Sequence, residues 1–259
     1  MNTSSYFTIF FAFFFAFFFQ SCANKKDILY FQDASKYASV PVVQAETLIQ
    51  RNDILSISVG ALVPETASLY NIQNLGNGLA SQNIETIKLQ GYLVSDQGKI
   101  VFPVLGKISV QGMTVAALEE HLKKLLEEGG HLVNPTVSVR ILNAKVTILG
   151  EVNRPGTFSF LEQYVSVPQA LGYAGDLTIN GKRNDILLIR ESEGVRTITH
   201  VDLTTASWMN DPKYRIKQND VLVINPNNPK IKTAGYVGNT SVILTIASLI
   251  LSSIVLLTR

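Results

Sequence analysis

The sequence predicts an α+β chain, with a β-rich body in two units followed by a C-terminal transmembrane α-helix. Three observations carry that expectation. Residues 27–232 consist of short apolar runs separated by Gly, Pro, Asn and Asp, with only two short helical patches. The ends hold the apolar mass: residues 1–24 carry no charge, and none appears between Lys232 and Arg259. Composition agrees, at 46% hydrophobic and 16% charged, a low charge content for a water-soluble chain. With 259 residues the chain is long enough for one or two domains and a substantial core. A formal net charge of +2 argues against a nucleic-acid binder. The single cysteine excludes a disulfide framework within the monomer and a metal site built from cysteines.

Nine of the thirteen phenylalanines fall between Phe7 and Phe19, an apolar run short for a membrane span but suited to a signal-peptide core. Gln20-Ser21-Cys22 follows, placing a small residue directly before the only cysteine. That order resembles a bacterial lipobox, which implies cleavage after residue 21 and lipid attachment at Cys22. No Lys or Arg opens the segment, and Phe19 and Gln20 replace the usual residues. A buried cysteine behind an N-terminal anchor is the other reading; its position at the end of the apolar run favours lipidation. Several acyl chains on one cysteine hold a protein stably to a membrane, where a single chain does not. Ala23 stands where an aspartate would retain a lipoprotein in the inner membrane, so the sorting rule implies the outer membrane.

In the first unit, Asp96-Gln97-Gly98 predicts a hairpin between Tyr92-Leu93-Val94 and Ile100-Val101-Phe102. Pro103 ends or bends the second strand, and Leu105-Gly106 turns the chain into Ile108-Ser109-Val110. Thr114 caps a helix with Val115, Leu118, Leu122, Leu125 and Leu126 on one face, and Gly129-Gly130 stops it. Val137, Val139 and Ile141 alternate with polar residues as a half-buried strand. A second unit starts near Asn143-Ala144 with the strand Val146–Leu149. Pro155-Gly156 has the residues of a type II turn, and Ser166 and Pro168 open a short helix that Gly175 closes. Strands at 186–189, 197–201 and 221–224 complete it. Arg51-Asn52-Asp53, Arg183-Asn184-Asp185 and Gln218-Asn219-Asp220 each precede an apolar run, which predicts strand-entry turns and not three active carboxylates.

Residues 241–258 read as one apolar helix of about 27 Å, just enough for a thin hydrocarbon core. Ser241, Thr245, Ser248 and Ser252 step by four, three and four, so they share one face, opposite Ile, Leu and Val. That face suits a close helix neighbour, or water inside a ring of identical helices. A lone anchor helix is the third possibility.

Catalytic patterns are missing from the sequence. Lysines follow Gly98, Gly106 and Gly181 without the rest of a phosphate loop; Gly76-Asn77-Gly78 has no strand before it; no G-x-S-x-G occurs. His121, His131 and His200 are isolated, so no metal site is expected. No enzyme and no cofactor is read. Tyr92, Phe158 and Trp208 could stack on sugar rings, though core packing fits each better.

The run from Gly91 to Gly106, its sequel from Val110 to Val137, and Gly150-Glu151-Val152-Asn153-Arg154-Pro155-Gly156 with Ala170-Leu171 and Ala174-Gly175 resemble the outer-membrane polysaccharide export lipoproteins. The resemblance covers about residues 46–226 and implies a polysaccharide export domain followed by one soluble-ligand-binding β-grasp domain, where the longest relatives have two. The implied organisation is a signal peptide over 1–21, a lipidated tether over 22–45, the export domain over 46–143, the β-grasp domain over 144–226, a linker over 227–239 and a transmembrane helix over 240–258. It further implies a homo-oligomeric ring, an octamer, with most of the chain in the periplasm and its C-terminal helices forming a barrel through the outer membrane. Ser241, Thr245, Ser248 and Ser252 would then line the lumen, the substrate would be a capsular or extracellular polysaccharide, and an inner-membrane co-polymerase of the tyrosine-kinase type would dock on the periplasmic face. The non-channel alternative is a lipid-anchored module that binds glycan or a partner.

Overall fold

A computed structural model describes residues 25–37, 39, 47–72, 84–192, 194–234 and 240–257. Cys22, the apolar segment before it and Gly76-Asn77-Gly78 lie outside the described residues.

In the first unit, β1 (Ile54–Gly60) lies between β2 (Tyr92–Leu93) and β5 (Thr136–Ile141), antiparallel to both. The short helices α1 (Pro64–Ala67) and α2 (Ile84–Leu89) fall between β1 and β2. A separate ribbon pairs β3 (Lys99–Phe102) with β4 (Gly106–Ser109). Helix α3 (Val115–Glu128) covers this unit because Leu118, Leu122 and Leu126 recur every fourth residue and are fully buried. Thr114 caps it as expected, its hydroxyl accepting from the Ala117 N–H at 3.1 Å, and Gly130 leaves it at φ 68°. Ile49, Leu55, Val94, Ile100 and Phe102 close the core.

The second unit is a five-stranded sheet, in the order β10 (Val195–Val201), β9 (Gly181–Ser192), β12 (Val221–Pro226), β6 (Lys145–Gly150), β7 (Gly156–Ser159). Strand β12, the last in sequence, enters the middle of the sheet, parallel to β6 and antiparallel to β9. Gly150 sits where β6 passes closest to β12: its φ is 92°, and a Cβ there would lie 2.0 Å from the Ile224 carbonyl oxygen. Helix α4 (Val167–Tyr173) opens on a capping box between Ser166 and Gln169 and buries Val167, Ala170 and Leu171 against the sheet. A two-stranded pair, β8 (Val165–Ser166) with β11 (Arg215–Ile216), closes one end. Helices α5 (Asn228–Ala234) and α6 (Thr240–Leu257) follow. Part of the expected linker is therefore helical.

Several expectations change. The turn at 95–98 forms, with Gly98 at φ 72° and its N–H on the Ser95 carbonyl, but it does not close a two-stranded hairpin. Strand β2 pairs with β1 instead, and β3 pairs with β4 across Pro103-Val104-Leu105. Gly156 lacks the positive φ that a type II turn requires; it pairs with Ile148 as the first residue of β7. Asn52 and Asn219 do adopt φ 65° and lead into β1 and β12, whereas Asn184 and Asp185 lie inside β9.

The C-terminal helix is present, but among the described residues no helix is long and apolar enough to cross a membrane. At 1.5 Å per residue, the 18 residues of α6 rise about 27 Å, against about 30 Å for a typical hydrocarbon core. The expectation of a transmembrane helix is thus not met by this element alone.

Candidate functional site: the junction of the units and the C-terminal helix

The two units meet through two copies of one turn. In each, an Asn with φ 65° precedes an Asp whose Oδ2 accepts from the backbone N–H three residues earlier: Gln50 to Asp53 at 2.7 Å, Lys217 to Asp220 at 2.8 Å. Both aspartates are buried, with exposures of 2% and 0%. Their partners differ. Arg190 grips Asp220 with a two-point fork, Nε to Oδ1 at 2.9 Å and Nη2 to Oδ2 at 2.7 Å. Asp53 meets only a neutral amide, the Gln218 Nε2 at 2.9 Å, which also donates to the Leu48 carbonyl. Burial without a cation pushes Asp53 up to about 6, partly opposed by the bonds from Gln50 and Gln218. Gln218 belongs to the second turn and Asp53 to the first, so the equivalent turns clasp one another across the junction.

The segment 25–37, within the expected tether, is folded onto the second unit. Phe31 and Gln32 donate their backbone N–H groups to the Leu203 and Thr204 carbonyls, and the Ala206 N–H donates to Asp33 at 2.6 Å. Tyr30 donates its hydroxyl to Asp176 at 2.7 Å and lies under the Arg183 guanidinium, 5.1 Å from ring centre. Burial first, and then the bond to Asp176, raises the Tyr30 hydroxyl well above its ordinary value. Arg183 is 6% exposed and donates to the Thr178 and Gly181 carbonyls, while its Nε has no partner.

On α6, Ser241, Thr245, Ser248 and Ser252 are exposed, and so are Leu244, Ile246, Leu249 and Ile250 elsewhere on the helix. Thr245 donates its hydroxyl to the Ser241 carbonyl and Ser248 to the Thr245 carbonyl, both at 2.8 Å. Each of these two hydroxyl hydrogens is held by the backbone, which leaves the oxygens free to accept.

Of the aromatic candidates, Tyr92 stacks on Phe102 in the core, with centroids 5.5 Å apart, and burial lifts its hydroxyl to about 12. Phe158 packs near Tyr173, and Trp208 lies between Phe31 and Tyr214 with its Nε1 donating to the Thr205 carbonyl. His131 contacts the Tyr70 ring edge, and His200 pairs with Asp185, whose carboxyl is lowered first by Lys182 and then by His200. No group of His, Cys, Asp and Glu among the described residues could hold a metal ion.

Comparison with known proteins matches these units to named families. Residues 41–142 match the family described as polysaccharide biosynthesis/export protein, and residues 145–199 match the SLBB domain. Residues 41–142 thus carry a polysaccharide biosynthesis/export domain and residues 145–199 an SLBB domain. It is 23% identical over 205 residues to the EPS I polysaccharide export outer membrane protein EpsA of Ralstonia solanacearum, covering 76% of this chain and 52% of that protein. It is 27% identical over 193 residues to the capsule polysaccharide export outer membrane protein CtrA of Neisseria meningitidis, covering 73% of this chain and 46% of that protein. The chain spans about half the length of these curated relatives.

Proposed function

We propose that this chain is an outer-membrane lipoprotein subunit of a ring-shaped channel that exports capsular or extracellular polysaccharide, and that it is not an enzyme. The observation that carries the reading is an export domain and an SLBB domain followed by an exposed helix with one hydroxylated face. The proposed organisation is that of the sequence, with cleavage after residue 21 and lipid on Cys22. The turn Lys25–Asp27 lies against β9 of the SLBB unit, and at most about 10 Å of chain separates Cys22 from Lys25. The C-terminal helix leaves the same unit through β12 and α5. Both anchors then hold the SLBB unit against the outer membrane, with the export unit farther into the periplasm.

A closed ring, of about eight copies, gives α6 two different surroundings. Its Ile and Leu residues face lipid, and a thin outer membrane shortens the distance the 27 Å helix must cover. Ser241, Thr245, Ser248 and Ser252 line the lumen. Such hydroxyls offer weak, interchangeable bonds to glycan hydroxyls, so a chain is wetted without being held. The driving force comes from an inner-membrane synthesis machine, with a co-polymerase of the tyrosine-kinase type docking on the periplasmic side.

The shortfall of α6 against a full hydrocarbon core favours a second reading, a lipid-anchored glycan- or partner-binding module without a pore. Two variants separate them. In the channel, Ser248→Trp narrows the lumen and stops secretion while the protein stays in the membrane fraction, and deleting residues 240–259 abolishes secretion. Unchanged secretion in both variants would reject the channel.

A further inference from the structure

A cavity of about 340 Å3 opens at the junction of the two units, with Thr47 and Arg140 on one wall and Glu162, Gln163, Tyr164 and Gln218 on the other. Its size falls in the range of ligand pockets, about 300–1,000 Å3, which favour junctions of this kind. Two of its polar groups are unoccupied. Arg140, exposed on β5, is the exception among the described arginines. Arg51 bonds Gln111, Arg154 the Tyr173 carbonyl and Arg190 Asp220, while Arg196 bonds Glu191, Arg183 is held by two carbonyls and Arg215 caps the Tyr164 ring. The Arg140 side chain has no ion pair, hydrogen bond or ring partner among the described residues. Gln218 is 3% exposed; its Nε2 is occupied by Asp53 and Leu48, and its amide oxygen accepts no bond from a described residue.

The acid on the wall does not neutralise Arg140. Glu162 accepts from the Leu161 N–H at 3.0 Å and from the Tyr173 hydroxyl at 3.4 Å instead. What remains on the lining is an unpaired guanidinium together with the amides of Gln163 and Gln218 and the hydroxyls of Thr47 and Tyr164. The fork fits a carboxylate. The amides and hydroxyls both donate and accept, as a polyol requires.

We propose that this cavity is a subsite for an acidic sugar of the transported polymer, a hexuronate or similarly carboxylated unit. The carboxylate pairs with Arg140, and ring hydroxyls meet Gln163, Thr47 and the Gln218 oxygen. The proposal rests on the export reading and gives the substrate a class, an acidic polysaccharide.

The test uses the full chain in mild detergent and two probes of equal length, a tetragalacturonate and its carboxyl-reduced neutral counterpart, titrated calorimetrically. The acidic probe binds and the neutral one binds at least roughly tenfold more weakly. Arg140→Gln brings the acidic probe to the neutral level, Arg140→Lys restores part of the affinity, and Arg196→Gln, which removes the same charge from β10, changes nothing. Equal binding of the two probes, no binding of either, or equal effects of Arg140→Gln and Arg196→Gln would overturn the subsite. So would a change in native mass on Arg140→Gln without probe binding, which would assign Arg140 to a contact between copies. Secretion by cells lacking the chain is scored separately. Secretion that depends on the chain while no probe binds rejects the subsite alone, and secretion that persists without the chain rejects the export reading.

Discussion

Asp53 is a buried carboxylate facing an amide where its counterpart Asp220 faces an arginine, and this sets a direction for pH dependence. Its folded value, about 6, lies above the ordinary 3.8, so the folded state holds the proton more tightly than the unfolded chain does. The resulting stabilisation is complete below the unfolded value and is lost as pH rises through about 6. A shift of about 2 units at 1.36 kcal/mol each amounts to about 3 kcal/mol across the full window. Between pH 5 and pH 7 this group alone removes about 1 kcal/mol. Asp53→Asn keeps an oxygen to accept from the Gln50 N–H and the Gln218 amide, and removes the charge. Urea unfolding at pH 5 and pH 7 should show the wild type losing about 1 kcal/mol more than the variant over that interval. The difference between the proteins cancels every other titrating group. Equal losses, or a wild type that gains on the variant as pH rises, would mean that Asp53 is not a desolvated acid and that the clasp is misread.

The other expectations concern the elements that fix the second unit and its strap. Arg190→Met leaves Asp220 buried and unpaired, and should cost about 3 kcal/mol in the same unfolding assay. Gly150→Ala forces a Cβ against the Ile224 carbonyl and should prevent the parallel β6–β12 pairing, seen as loss of near-ultraviolet circular dichroism and protease sensitivity within 145–226. Phe31→Ser should release the strap: emission from Trp208, the only tryptophan, shifts to longer wavelength and residues 25–37 become cleavable while the second unit stays folded.

Local chemistry made much of the fold legible. The α3 cap and stop, its leucine spacing, and the helix start at Ser166 and Pro168 depend on residues within a turn or two of each other, which a sequence displays directly. Partner choice between distant strands is not local. Tyr92-Leu93 has a turn and a strand close ahead of it, yet β1, nearly forty residues earlier, takes its hydrogen bonds. The same Asn-Asp pair makes a turn at 52–53 and at 219–220 but lies in extended backbone at 184–185, within the long strand β9, whose residues from Ile186 onward pair with β10 and β12. The strap was hidden for a similar reason: Phe31 and Gln32 bond to carbonyls more than 170 residues away. Of the candidate site, the hydroxyl stripe of α6 could be read from helical spacing alone. The unpaired Arg140 and the turned Gln218 became visible only when the two units were placed together.

The central proposal is that this chain works as a closed ring. Its most direct test is the native mass of the mature protein extracted from the outer membrane in mild detergent. The account predicts a single assembly of about eight copies. A protein that stays monomeric at high concentration would contradict it, and α6 would then be an anchor and nothing more.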